Sequence, residues 1–113
     1  AISLSSNISV ITAIGNDYSY DDVFVRQLRA LGEKGDVAIG ISTSGNSSNV
    51  LKAIKYAKKN GIITVGFTGK VGKLKDLVDY PLIVNSKSTP RIQEGYMVAG
   101  HIICGIVERS LYG

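Results

Sequence analysis

The densest set of side chains able to do chemistry lies in Ile41-Ser-Thr-Ser-Gly-Asn-Ser-Ser48, where hydroxyls at Ser42, Thr43, Ser44 and Ser47 surround Gly45. The stretch follows a short apolar run and opens an amphipathic one, which places it at a strand-to-helix junction. In open α/β sheets, ligands collect at the carboxyl ends of strands. A helix N-terminus adds free amides and a dipole that favours negative charge. Hydroxyls donate to phosphate oxygens without fixing a counter-charge, which suits a ligand that must leave. An ordinary cap and turn needs one such residue, and this loop has four. Walker A spacing is absent: Gly66-Phe-Thr-Gly69-Lys70 is too short and lacks the following hydroxyl residue. No Gly-x-Gly-x-x-Gly follows a strand, so the loop reads as a monophosphate site.

His101 is the only histidine, and histidine is the side chain that ordinarily titrates near neutrality. It is the acid/base candidate of this chain. On the residues alone, a hydrogen-bonded histidine on a largely apolar helix is the stronger reading. Asp17 either contacts a ligand or caps the turn before Tyr20. Glu94 is expected to pair with Arg91 or Arg26. Tyr18, Tyr20 and Tyr96 read as packing or interface residues. Cys104, the single cysteine, lies in an apolar stretch and is expected to be a small buried hydrophobe.

These side chains must be positioned by elements that the apolar pattern outlines. Asp36–Ile41, Ile62–Phe67 and Tyr80–Val84 are short runs with β-branched residues, and Ala1–Leu4 is a possible fourth. Continuous apolar character reads as strands buried on both faces. Tyr20–Leu31 is helical, with Val23, Phe24, Gln27, Leu28 and Leu31 on one face. Ser48–Asn60 carries Val50, Leu51, Ile54 and Ala57 inward, and Asn60-Gly61 closes it. A short helix is expected at Lys73–Val78. A long one is expected from about Thr89 to Leu111, with Pro90 in its first turn. Alternating strands and helices imply right-handed crossovers and a parallel sheet. The fold class is α/β, a doubly wound parallel sheet flanked by helices.

Composition bounds the partners. The 113 residues suit one domain and are 44% hydrophobic and 19% charged, an ordinary soluble balance. A net charge of +4 favours a small anion. The Lys and Arg residues are scattered, so nucleic acid is not expected as a partner. The apolar stretch Met97–Val107 is too short to span a bilayer, so no membrane partner is expected. One cysteine and no visible signal peptide suit a cytoplasmic protein. The chain lacks an initiator Met, and Ala1 reads as the middle of a strand, so we expect a piece of a longer protein.

Ser42-Thr-Ser-Gly-Asn-Ser47 resembles the signature loop of SIS domains, which bind phosphosugars. Two further segments narrow the resemblance to the phosphoheptose isomerase branch: Ala13-Ile-Gly-Asn-Asp17 followed by Tyr20-Asp-Asp-Val-Phe24 and Arg26-Gln27, and Arg91-Ile-Gln-Glu94 followed by His101. It covers essentially the whole chain, 1–113, as one SIS domain with a doubly wound, flavodoxin-like fold that lacks the family's N-terminal helical portion. The resemblance implies aldose–ketose isomerisation of sedoheptulose 7-phosphate to D-glycero-D-manno-heptose 7-phosphate. It implies that Ser42, Thr43, Ser44 and Ser47 hold the phosphate and that Asn16 and Asp17 contact sugar hydroxyls. Gln93 would touch substrate and a zinc ion, and His101 would be a zinc ligand and an acid/base group. It also implies a homotetramer with sites between subunits. The alternative is a non-catalytic SIS protein that binds phosphosugars or associates with a replication initiator.

Isomerisation moves a proton between adjacent carbons through an enediol. It needs a base, a proton donor and charge stabilisation. Gln93 and His101 lie eight residues apart, about 12 Å along a helix at ~1.5 Å per residue. Sharing one ion therefore calls for a helix broken at Gly95 or Gly100, or for a site drawn from more than one subunit. We expect the second.

Overall fold

The computed structural model describes residues 1–113. Helix α1 spans Ile8–Asp17, a 3-10 turn spans Tyr20–Asp22 and α2 spans Val23–Leu31. Strand β1 (Val37–Ser42), α3 (Ser48–Lys59), β2 (Ile63–Gly69), α4 (Leu74–Leu77), β3 (Tyr80–Val84) and α5 (Thr89–Tyr112) follow. The three strands are parallel in the order β1-β2-β3, with Ser42 opposite Thr68 and Gly69 opposite Val84.

Strand alternation divides the sheet into two faces. Gly40 and Gly66 point to one. A Cβ on Gly40 would lie 3.0 Å from Val50 and Ile54 of α3, and one on Gly66 would lie 3.0 Å from Val78, just past α4. These glycines let α3 and α4 lie close on the sheet, around a core of Ile54, Leu74 and Val78. Phe67, Gly69 and Val84 point to the other face and meet α5. Phe67 stacks on Tyr96 with ring centroids 6.2 Å apart. Ile92 is buried over Gly69, and Gly95 fits against Val84. Helices on both faces make the sheet doubly wound, as the alternating pattern predicts.

Three expectations are corrected. Ala1–Leu4 is not a strand; it runs without ladder pairing into a turn at Leu4–Ser5, and the Leu4 carbonyl accepts from Gln27 Nε2 at 2.9 Å. Strand β1 is not buried on both faces: Val37, Ile39 and Ile41 are 57%, 50% and 46% exposed. The cause is its place at the sheet edge, where those residues line an open apolar groove with Leu28 and Leu31. Leu31 is accordingly exposed, although the α2 face built on Val23 and Gln27 is buried. Cys104 is exposed on α5 rather than buried, because only the first part of that helix reaches the sheet.

A polar clamp joins the start of β2 to the turn before β3. The Asp79 carboxylate accepts from the Thr64 amide at 2.9 Å and the Thr64 hydroxyl at 2.8 Å. Lys58 Nζ sits 3.2 Å from its other oxygen. The Thr64 hydrogen bonds, then Lys58, hold the Asp79 pKa below its ordinary 3.8. A depressed carboxylate contributes stability that is complete above the ordinary value and is lost as pH falls through the lower native one. Asp79→Asn should therefore lower the thermal midpoint most at neutral pH. The gap from the unsubstituted protein should narrow below pH 3.8. Calorimetric melts across that range check it, and a gap independent of pH would refute the assignment.

Candidate phosphate site

The serine loop is built by the end of β1 and the start of α3. Ser42, 5% exposed, ends the strand. Its Oγ shares hydrogen bonds with Ser47 Oγ at 2.9 Å and Ser44 Oγ at 3.4 Å, and accepts from the Ser47 amide at 3.4 Å. Ser44 Oγ accepts from the Asn46 amide at 3.2 Å. Gly45 turns the chain at φ 67°, a conformation glycine adopts without strain, and its amide donates to the Ser42 carbonyl at 3.1 Å.

Ser47 is the N-cap residue of α3, yet its hydroxyl makes no capping bond; it turns back to Ser42. In the first helical turn the Val50 amide donates to Asn49 Oδ1 at 2.8 Å, which leaves the Ser48 and Asn49 amides for solvent or a ligand. Three of the four predicted hydroxyls, Ser42, Ser44 and Ser47, form one cluster at that helix end. Thr43 is half-buried, and its carbonyl receives the Gly69 amide at 3.3 Å. The cluster can supply hydroxyl and amide donors to an anion without a fixed positive partner.

The loop is held from the next crossover. The Gly45 carbonyl accepts from the amides of Lys73 and Leu74, both at 2.9 Å, and Asn46 Oδ1 accepts from the Lys73 amide at 3.2 Å. Gly72 crosses at φ 88°, and a Cβ there would sit 2.2 Å from the Ser44 carbonyl. Sequence reasoning missed Gly72 and Asn46 as parts of the site. The available signal was the glycine pair flanking Lys70-Val71, just after a strand end.

On the opposite side, Ser48 Oγ donates to Asp21 Oδ1, and Lys52 pairs with Asp22 at 2.5 Å. These contacts tie the 3-10 turn to the start of α3. Asn16 and Asp17 end α1, exposed, with Asn16 Nδ2 donating to Asp17 Oδ1 at 2.9 Å. Asp17 does not cap the turn at Tyr20; Ser19 does, accepting from the Asp21 amide at 3.1 Å. That removes the structural alternative weighed for Asp17. Arg26 stacks over Tyr18, 3.8 Å from the ring centroid, so Arg91 is the partner of Glu94, at 3.0 Å.

Gln93 and His101 are both exposed on α5, and neither makes a side-chain hydrogen bond. The helix is continuous from Thr89 to Tyr112, so neither Gly95 nor Gly100 breaks it. On a straight helix the two residues are about 12 Å apart along the axis and rotated by roughly 80°. No three His, Cys, Asp or Glu side chains gather where they could hold a metal. The residues of this chain do not by themselves fit a zinc ion, which takes four close donors.

The brace on the serine loop is testable. Gly72→Ala forces a non-glycine residue to positive φ, at a cost of about 1–3 kcal/mol, and drives its Cβ into the Ser44 carbonyl. The thermal midpoint should fall, and binding of inorganic phosphate to the loop should weaken with it. Unchanged stability and binding would show that the two loops are not coupled.

The comparisons agree with this geometry. The SIS domain family matches residues 1–69. The phosphoheptose isomerase of Clostridium acetobutylicum is 57% identical over the whole chain, which covers 58% of that protein. That of Aneurinibacillus thermoaerophilus is 54% identical over 99% of the chain and is covered to 57%. The solved phosphoheptose isomerase GmhA of Neisseria gonorrhoeae superposes with a TM-score of 0.91 at 43% identity, over 95% of this chain and 61% of its own. That of Francisella tularensis superposes at 0.92 with 34% identity, over 96% and 59%. The chain therefore spans a little under three fifths of the curated relatives' length. With its parallel sheet, its serine loop at a helix N-terminus and this match over more than half its residues, the chain belongs to the SIS domain family.

Proposed function

We propose that this chain is the phosphosugar-binding core of an aldose–ketose isomerase acting on sedoheptulose 7-phosphate to give D-glycero-D-manno-heptose 7-phosphate. The observation that carries the reading is the cluster of Ser42, Ser44 and Ser47 hydroxyls at the uncapped start of α3. The names of the relatives support a phosphorylated heptose, and the motif resemblance supplies the particular heptose phosphates. In this reading Ser42, Thr43, Ser44 and Ser47 hold the phosphate, and Asn16 and Asp17 meet sugar hydroxyls. Gln93 contacts substrate, and His101 moves the proton between adjacent carbons.

Zinc belongs to the proposal only with donors beyond Gln93 and His101, supplied by polypeptide outside this chain or by another subunit. The apolar stripe of α5 supports assembly: Met97, Val98, Ile102, Ile106 and Leu111 are each more than half exposed. We place these faces in the interior of a homotetramer. No helix is long and apolar enough to cross a membrane, and a cytoplasmic location fits a phosphorylated substrate. No observation favours the non-catalytic alternative.

Two experiments on the full-length protein test the reading. Ser44→Ala with Ser47→Ala should weaken phosphosugar binding by about 2–3 kcal/mol, at ~1–1.5 per hydrogen bond; unchanged affinity by calorimetry would remove the phosphate assignment. His101→Gln should abolish turnover while leaving the circular dichroism and melting of the protein intact. Near-normal turnover by that variant would exclude a central role for His101.

A further inference from the structure

Thr68, the last residue but one of β2, lies directly opposite Ser42 in the parallel register, on the same face of the sheet. It has no exposed surface. Its Oγ1 is the one buried side-chain oxygen or nitrogen atom without a hydrogen-bond partner. The groups that hold the serine loop together are themselves engaged. Ser42 Oγ has Ser47 and Ser44, the Gly45 carbonyl has two amides, and the Thr43 carbonyl has Gly69.

The position of the orphan hydroxyl is informative. A Cβ on Gly45 would lie 3.0 Å from Thr68 Oγ1. The hydroxyl therefore sits beside the apex of the serine loop, where the Val71 carbonyl and Gly72 also close in. A buried hydroxyl with no partner is costly, and an isosteric valine would remove that cost. A strand interior also accepts valine at least as readily as threonine. Nothing in the conformation described accounts for a threonine here.

We propose that Thr68 is a positioning residue of the anion loop, whose hydroxyl engages Ser42 when the loop holds its ligand. The inference rests on the reading of the serine loop as a phosphate site. In the free loop the hydroxyls of Ser42, Ser44 and Ser47 bond to one another. A phosphate draws Ser44 and Ser47 outward, because its oxygens are stronger acceptors than hydroxyls. That leaves Ser42 Oγ with an open acceptor position. Thr68 is its in-register neighbour on the adjacent strand, ~4.8 Å away backbone to backbone, so a change of the Thr68 side-chain rotamer as the loop shifts brings its hydroxyl to that position. Ser42, with its own proton free to turn toward the anion or Ser47, is then oriented from below, and the linked hydroxyls polarise one another.

This arrangement separates stability from binding, which a purely structural residue would not do. In the full-length protein, Thr68→Val should melt at or above the temperature of the unsubstituted protein, while its affinity for inorganic phosphate falls about five- to tenfold, the worth of one hydrogen bond. Thr68→Ser, which keeps the hydroxyl, should bind phosphate within about twofold of the unsubstituted protein. Thr68→Val binding phosphate normally, while the Ser44 and Ser47 double variant does not, would overturn the role of Thr68 and leave the phosphate site standing. If the double variant also binds normally, the phosphate reading itself fails. Should Thr68→Val not fold, Thr68→Ala against Thr68→Ser decides. Both lose packing, so weaker binding by alanine alone supports the hydroxyl, and equal binding overturns it.

Discussion

The serine loop does not hold its own shape. Its apex, Gly45, donates to Ser42 behind it, but the Gly45 carbonyl is held by the Lys73 and Leu74 amides of a later crossover. Those two bonds join loops that follow neighbouring parallel strands, and they form only because β1 and β2 end level, Ser42 beside Thr68. Register is thus the constraint on which the site depends. A slip of one residue would turn Ser42 to the α5 face and carry Gly45 away from its partners. The glycines follow from the same constraint. Gly72 has backbone where a Cβ would be, and Gly40 and Gly66 let α3 and α4 settle close enough to bring the loops into contact. Free donors at the start of α3 are a consequence of this bracing, because the loop needs no cap from Ser47 to stay in place.

Much of this was legible in the residues. The three strands, the α3 boundary at Asn60-Gly61 and the long last helix follow from short apolar runs, helical periodicity and a glycine stop, all local signals. The serine loop was legible because hydroxyl density at a strand-to-helix junction has few other uses. What was not legible depends on tertiary neighbours. A continuous apolar run could not reveal that β1 stands at an edge with Ile39 and Ile41 uncovered, since an edge and a centre read alike. Cys104 sits in an apolar stretch, but only Ile92, Gly95 and Tyr96 of that helix reach the sheet. Thr64 and Thr68 are indistinguishable as residues on β2, yet one hydroxyl is bonded to Asp79 and the other to nothing. Gly72 carried only the mark of a glycine pair with Gly69 after a strand end, and its role appears only where another loop crosses it.

Helix α5 shows where the chemistry of one chain ends. Its first turns are fixed by Ile92 over Gly69, Gly95 against Val84 and Tyr96 on Phe67. Past Tyr96 the helix leaves the sheet, and Met97, Val98, Ile102 and Ile106 lie open. Gln93 belongs to the anchored part and His101 to the projecting part. Under the proposed activity, the continuous helix holds the two about 12 Å apart along its axis, so a shared ion would need both side chains almost fully extended. An acid/base group on a projecting helix gains a defined environment only from whatever packs around it. Apolar surface so continuous stays uncovered at a cost of roughly 25 cal/mol per Å², so burial of the stripe would supply both the driving force for assembly and the walls around His101. Under the proposed function, the phosphate contacts would come from one chain and the place where the proton moves would be made between chains.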